Sequence, residues 1–265
     1  MRTPPRRVIA LVAAGLASYL VILLADFPAA IAWSFVVPQS APVTARAIHG
    51  TIWAGRLDDV SVSRLRLRKL SWTVQGWDLL IGQLAFDIRI QSRYGKGSGT
   101  LSDLGTRHWS LRGVHAAIPL DGLSRAFTRI HLKASGTLHL ALTHLAVDGP
   151  ALKALDGTGS AARVTIHSVI PVTLAEVRLE AHSVPRGGSL ITFDTGPGGS
   201  LLVQGRILLG PARHWKLVAR FKPAPHANPT LIRILSGYGA AGPHGFYTLH
   251  LKGVLPDLSR IDPDL

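Results

Sequence analysis

The sequence predicts an all-β protein carried behind one apolar N-terminal helix. Three observations carry that expectation. Period-two alternation of apolar and polar residues dominates after residue 45. Clusters of glycine, proline and aspartate interrupt it repeatedly. An uncharged run from Val8 to Ala25, VIALVAAGLASYLVILLA, stands ahead of it, directly behind Arg2, Arg6 and Arg7.

The run comes first in the chain. As a helix it would be about 27 Å long, close to the ~30 Å hydrocarbon core of a bilayer. The positive-inside rule keeps residues 1–7 cytoplasmic, makes 8–25 a transmembrane helix, and leaves the remainder outside the cytoplasm. A cleaved signal peptide is the rival reading, because Ala30-Ile31-Ala32 is a small-x-small site. The run exceeds the usual signal core of about 7–15 residues, and the segment behind it is not polar, so an uncleaved anchor is expected. Pro28 to Val37 could extend the helix or lie in the interface, with Trp33 and Phe35 at headgroup depth. Residues 26–44 read as an interfacial segment and linker, 45–258 as the β domain and 259–265 as a tail.

The strands follow. Leu84, Phe86, Ile88 and Ile90 oppose Asp87, Arg89 and Gln91. Ile130, Leu132, Ala134, Leu138, Leu140 and Leu142 oppose Arg129, His131, Lys133, Thr137 and His139. Val177, Leu179 and Ala181 oppose Glu176, Arg178, Glu180 and His182. Trp215 to Phe221 and Tyr247 to Leu251 repeat the alternation, with His214, Lys216, Arg220, Lys222, His250 and Lys252 on the wet side. One apolar and one wet face per strand marks antiparallel sheet. Tyr94 to Gly99, Asp148 to Pro150, Asp156 to Gly159 and Gly196 to Gly199 read as turns. The expected fold is a meander of about ten or more strands, strongly bent, as a sandwich or a half-open barrel or groove. Short helices are expected at Pro229 to Ser236, where Leu231, Ile234 and Leu235 share a face, and at Asp121 to Phe127 and Gln75 to Gly82.

Between Val60 and Leu70 the apolar positions change parity, which a β-bulge or strand break produces. The shift puts Arg64, Arg66 and Arg68 on one face, a basic stripe that could meet a partner or an anionic surface. Trp53, Trp72, Trp77 and Trp109 read as core anchors.

Composition excludes several chemistries. The chain has no cysteine, so thiolate metal sites and thiol nucleophiles are out, and a packed core must replace disulfides. The net charge is +14, and without the three leading arginines the rest carries +11, which suits anionic headgroups or an acidic partner. Nucleic acid is a poor fit outside the cytoplasm. The 12 histidines show no metal-ligand spacing, no nucleophile elbow is present, and only two carboxylates are glutamates. Neither a catalytic residue, a metal nor a cofactor is assigned.

The residues resemble a known family, the type II secretion system protein N family. Phe27-Pro28-Ala29 looks like its opening motif. His49-Gly50-Thr51-Ile52-Trp53-Ala54-Gly55 looks like its most specific stretch, G-T-[VI]-W-x-G. Leu70-Ser71-Trp72 and the block from Leu79 through Gly82 to Leu84 resemble a tryptophan strand, a leucine turn and a returning strand. Gly99 to Leu120 and the pair Gly245 to Leu249 and Lys252 to Leu255 resemble later blocks. Gln75-Gly76 departs from the proline expected there. The resemblance implies an accessory, non-catalytic inner-membrane subunit beside the pump that exports folded proteins from the periplasm of Gram-negative bacteria. It implies partners among the other inner-membrane components of that system, with membrane lipids met through the N-terminal anchor. A second reading is an AsmA-like periplasmic lipid-handling protein with an apolar β groove. An outer-membrane barrel is disfavoured, because aromatic content is only 6% and no aromatic girdle stands out.

Overall fold

The computed structural model describes residues 15, 16, 18, 19, 22–36, 43–62, 65–76, 84–102, 108–121, 133–149, 151–167, 171–185, 187–210, 213–225, 227–237 and 241–254. Thirteen strands pair antiparallel in strict sequence order, β1 beside β2 through to β13. They are β1 Val43–Gly50, β2 Ala54–Val62, β3 Leu65–Val74, β4 Phe86–Ser92, β5 Gly95–Ser102, β6 His108–Pro119 and β7 Lys133–Asp148. Then come β8 Ala151–His167, β9 Val172–Ser183, β10 Ser189–Thr195, β11 Leu201–Leu209, β12 His214–Pro223 and β13 Tyr247–Val254. Among the described residues, α1 Ala29–Val36 and α2 Pro229–Ser236 accompany the sheet, besides the helical residues 22–25 and a 3-10 turn at Pro243–Gly245.

Alternation sets the faces as expected. One cross-strand row runs Ile90, Gly97, Ala116, Leu140, Gly159, Leu179, Phe193, Gly205, Ala219, Leu249. The neighbouring row runs Arg89, Ser98, His115, Ala141, Thr158, Glu180, Thr192, Arg206, Val218, His250. The first lies on the apolar face and the second on the polar one. His139, His182, His214 and His250 are exposed as predicted, and His131 lies outside the described residues.

The apolar face is capped at two places. At the late strands, Leu231 and Leu235 of α2 pack on Ala161, Val164, Val172 and Leu174. Asn228 caps that helix, its side chain accepting from Thr230 N at 2.9 Å, with Pro229 at the first turn. At the early strands, Leu57, Val60 and Leu67 form a second cluster under Trp33 of α1. Trp33 therefore packs against the early strands.

Four expectations need correction. Gly95 to Gly99 read as a turn, yet only Arg93 and Tyr94 turn, and Gly95, Gly97 and Gly99 belong to β5. Asp156 to Gly159 read as a turn, yet it lies inside β8. The reason is space: a Cβ on Gly157 would stand 2.5 Å from the Ala141 carbonyl oxygen, and one on Gly159 would meet Leu140 and Leu179. These glycines let neighbouring strands approach and the sheet bend. Third, α1 does not continue the preceding helical residues, because Asp26 is a turn and Phe27 and Pro28 are non-helical. Fourth, the apolar face of β13 is not covered, and Leu249 and Leu251 are 38% and 46% exposed.

The parity break behaves as anticipated. β2 ends at Val62 and β3 begins at Leu65, which pair, and the register against β4 then slips between Leu67 and Lys69. Among the described residues no helix is long and apolar enough to cross a membrane. Of the predicted span, residues 8–14, 17, 20 and 21 lie outside the described residues; Leu16, Tyr19, Ile22, Leu23 and Leu24 are helical and exposed. Of the expected helix at Asp121 to Phe127 only Asp121, which is helical, is described, and most of that at Gln75 to Gly82 also lies outside the described residues.

Candidate functional site

The residues singled out by the sequence converge at the first hairpin. Gly50 takes φ +89°, which L side chains rarely adopt, and a Cβ there would sit 2.4 Å from the Ala54 carbonyl oxygen. Thr51 closes the loop: its N–H donates to Ala54 O at 2.9 Å, and its Oγ1 accepts from the N–H groups of Trp53 and Ala54, both at 3.3 Å. Small and hydroxyl residues are needed here because the chain reverses within Thr51 to Trp53.

The loop holds the N-terminal segment. Ile52 N–H donates to Phe27 O at 3.1 Å, and Pro28 bridges Thr51. Trp53 Nε1–H donates to Leu24 O at 2.7 Å. Leu24 is among the last helical residues before the break, and its carbonyl, which also accepts from Phe27 N–H at 3.4 Å, takes its shorter bond from the indole. Ala29 is buried at 4% exposure, where α1 meets the sheet.

Trp72 locks the other side. Its Nε1–H donates to Ile52 O at 3.0 Å, and Val74 N–H donates to Trp53 O at 2.7 Å. The indole lies over Gly55, where a Cβ would be 2.3 Å from the ring. Phe27, Pro28, Ala29, Gly50, Thr51, Trp53, Gly55 and Trp72 thus form one joint, and Gly82 lies outside the described residues. Gln75, the departure noted above, has its own role: its N–H donates to Ala85 O, and its amide donates to Asp87 at 2.8 Å, closing the mouth of the β3–β4 pair. Sequence reasoning missed the contacts of Leu24 and Trp33 with the β domain, because their partners are distant in the chain.

The basic stripe is placed differently. Arg66 and Arg68 are exposed on β3, and Arg64 lies outside the described residues. Arg68 joins Arg93 and Lys96 along a groove on the polar face. The groove runs on into a cavity of about 780 Å³, with Arg89, Lys96, His115 and His139 on one wall and Glu176, Glu180 and Asp194 on the other. Arg178 holds Glu176 at 2.8 Å and lowers its pKa. This is a mixed-charge surface, ill suited to acyl chains. Among the described residues no three of His, Cys, Asp or Glu gather as a metal set.

The architecture defines a class: a single-sheet β meander whose first hairpin grips an apolar N-terminal helix. The family model for the type II secretion system (T2SS), protein N, matches residues 41–250, and the chain belongs to that family. No curated protein and no solved structure matches it. The matched region takes in the whole hairpin joint except Phe27, Pro28 and Ala29, together with twelve of the thirteen strands in full.

Proposed function

We propose that this protein is an accessory subunit of the type II secretion system, anchored in the inner membrane and working in the periplasm through protein contacts. The observation that carries the reading is the bond from Trp53 to Leu24. The loop that resembles the family's G-T-[VI]-W-x-G stretch commits its indole to the end of the apolar leader. A leader removed after Ala32 would leave Trp53 and the Phe27 carbonyl's partner without their bonds. Residues 8–25 serve as the anchor, residues 1–7 stay cytoplasmic, and the β domain stands on the far side.

Two measurements test it together. In the native bacterium, deleting the gene should abolish or sharply reduce appearance of the system's substrates in the medium, and the intact chain should restore it. The cysteine-free chain accepts a single reporter thiol, for instance Thr192→Cys on β10. An impermeant maleimide should label it in intact cells made permeable only at the outer membrane. Normal secretion without the gene, or labelling only after lysis, would reject the reading.

The lipid-handling alternative predicts an apolar concave groove. The charged side chains on both walls of the larger cavity favour the protein-contact reading over it.

A further inference from the structure

An open sheet of thirteen strands has two edges, and this one treats them differently. At β1, Arg46 faces Asp59 at 3.7 Å and His49 faces Asp58 at 3.5 Å. Ala45 and Ile48 are packed in the cluster that Trp33 covers. That edge is neutralised and closed on its apolar side. Twelve strand spacings of about 4.8 Å place β13 about 58 Å away, measured along the bent sheet.

β13 has none of these devices. No strand pairs with its outer side among the described residues. Leu249 and Leu251 are exposed on one face. Trp215 of β12 extends over Gly253, where a Cβ would lie 2.8 Å from the indole, so an aromatic surface reaches the edge. On the other face stand His250 and Lys252, exposed.

The charge around them is one-sided. From Thr195 to Pro256 the sequence holds seven Lys or Arg and four His, and no Asp or Glu. Lys216 and Lys252 are direct register partners on the polar face, with Arg206 exposed on the next row of that face and Arg220 on the one beyond. Like charges placed directly across two strands repel. Nothing in the three strands compensates them.

We infer that the β13 edge receives an added strand from an acidic protein partner, one that alternates apolar and acidic residues. This deepens the proposed role and rests on its protein-contact reading. The added strand would take the free main-chain groups of β13, as in β-augmentation. Its apolar residues would lie beside Leu249 and Leu251, and its carboxylates beside His250 and Lys252. A second copy is a poor occupant, because pairing β13 with itself would set His250 and Lys252 against each other, and the β1 edge is neutralised. A lysine on an edge strand also repels indiscriminate pairing, so one residue both rejects and selects.

The test uses the full chain in mild detergent and labelled peptides as long as β13, read by fluorescence anisotropy. An alternating valine–glutamate peptide should bind at least about tenfold more tightly than a valine–lysine one. The same residues in two blocks, or the alternating peptide with every second amide N-methylated, should also bind at least about tenfold more weakly. Lys216→Glu with Lys252→Glu should invert the preference for charge. If that pair fails to fold, Lys216→Gln with Lys252→Gln should erase the preference.

Equal binding of the block or methylated peptide would reduce the edge to a diffuse electrostatic patch and overturn the inference. So would binding insensitive to the lysine changes, or no binding at all. Displacement of the peptide by phosphatidylglycerol vesicles but not phosphatidylcholine ones would make the patch a lipid surface, and overturn it too. A peptide that binds only once residues 255–265 are removed would make the chain's own tail the occupant, again overturning it. Failure here with secretion still dependent on the gene would leave the proposed role standing. Loss of that dependence would remove the role without touching the peptide result.

Discussion

The indole of Trp53 donates to the carbonyl of Leu24, across 29 residues of sequence, at 2.7 Å. The joint between leader and sheet is therefore made by a loop residue reaching backwards. Trp53→Phe keeps most of the ring and removes the donor. A single neutral hydrogen bond contributes about 0.5–1.5 kcal/mol. Cleavage by proteinase K between Ala25 and Phe27 should accelerate several-fold, while the urea midpoint of the sheet stays within error of the parent.

Trp72 should behave in the opposite sense. Trp72→Phe leaves the half-buried Ile52 carbonyl without its donor and loosens the cover over Gly55, so the sheet itself should lose about 1–3 kcal/mol. Gly55→Ala should cost a similar amount by overpacking, because its Cβ meets the same ring. Gly97→Ala is the control: its Cβ has no neighbour nearer than 3.5 Å, and equilibrium urea unfolding should show little change.

The helix α2 tests the late core. Leu231→Ala and Leu235→Ala each open a cavity over Val164 and Leu174 and should each lower stability by about 2–5 kcal/mol. Ile232→Ala and Ile234→Ala, on the exposed side of the same helix, should stay within about 0.5 kcal/mol. Thermal melting of the four variants separates the two faces.

Asp156 gives the pH dependence. Ser183 donates to it twice, from Oγ at 2.5 Å and from its N–H at 2.7 Å, and these bonds, helped by His144 and His182, hold its pKa below the usual carboxylate value. The folded state therefore favours the ionised form, and this stability is complete above the ordinary value of about 3.9. It declines as pH falls from there through the lowered pKa. Asp156→Asn should be less stable at neutral pH and should show a shallower loss on acidification. Urea midpoints taken between about pH 6 and pH 2 check both the offset and the slope.

Alternation was legible because it is local: the faces of Val177 to Ala181 and Trp215 to Phe221 follow from period two alone. So was α2, whose proline start and spaced leucines need no distant partner. Glycine misled where it served packing. Gly157 and Gly159 carry the composition of a turn, but their roles are set by Ala141, Leu140 and Leu179 on adjacent strands. The hairpin residues were legible as a pattern, while the partners of Trp53 and Trp72 were not. A hydrogen bond to a main-chain carbonyl leaves no mark on the identity of the residue that carries it. The asymmetry of the two edges was equally hidden, because strand order had to be known before Lys216 and Lys252 could be set side by side.

Strand order equal to chain order has a consequence for how the molecule is made. Each strand needs only the one before it as a template, so most pairings close a short loop at small entropic cost, the longest connection being the 23 residues 224–246 that carry α2. A chain synthesised from its N-terminus can zip up strand by strand as it emerges, beginning at the joint between Leu24 and Trp53. No early strand has to wait for a late one. The growing edge is always the newest strand, and among the described residues no strand follows on the outer rim of β13.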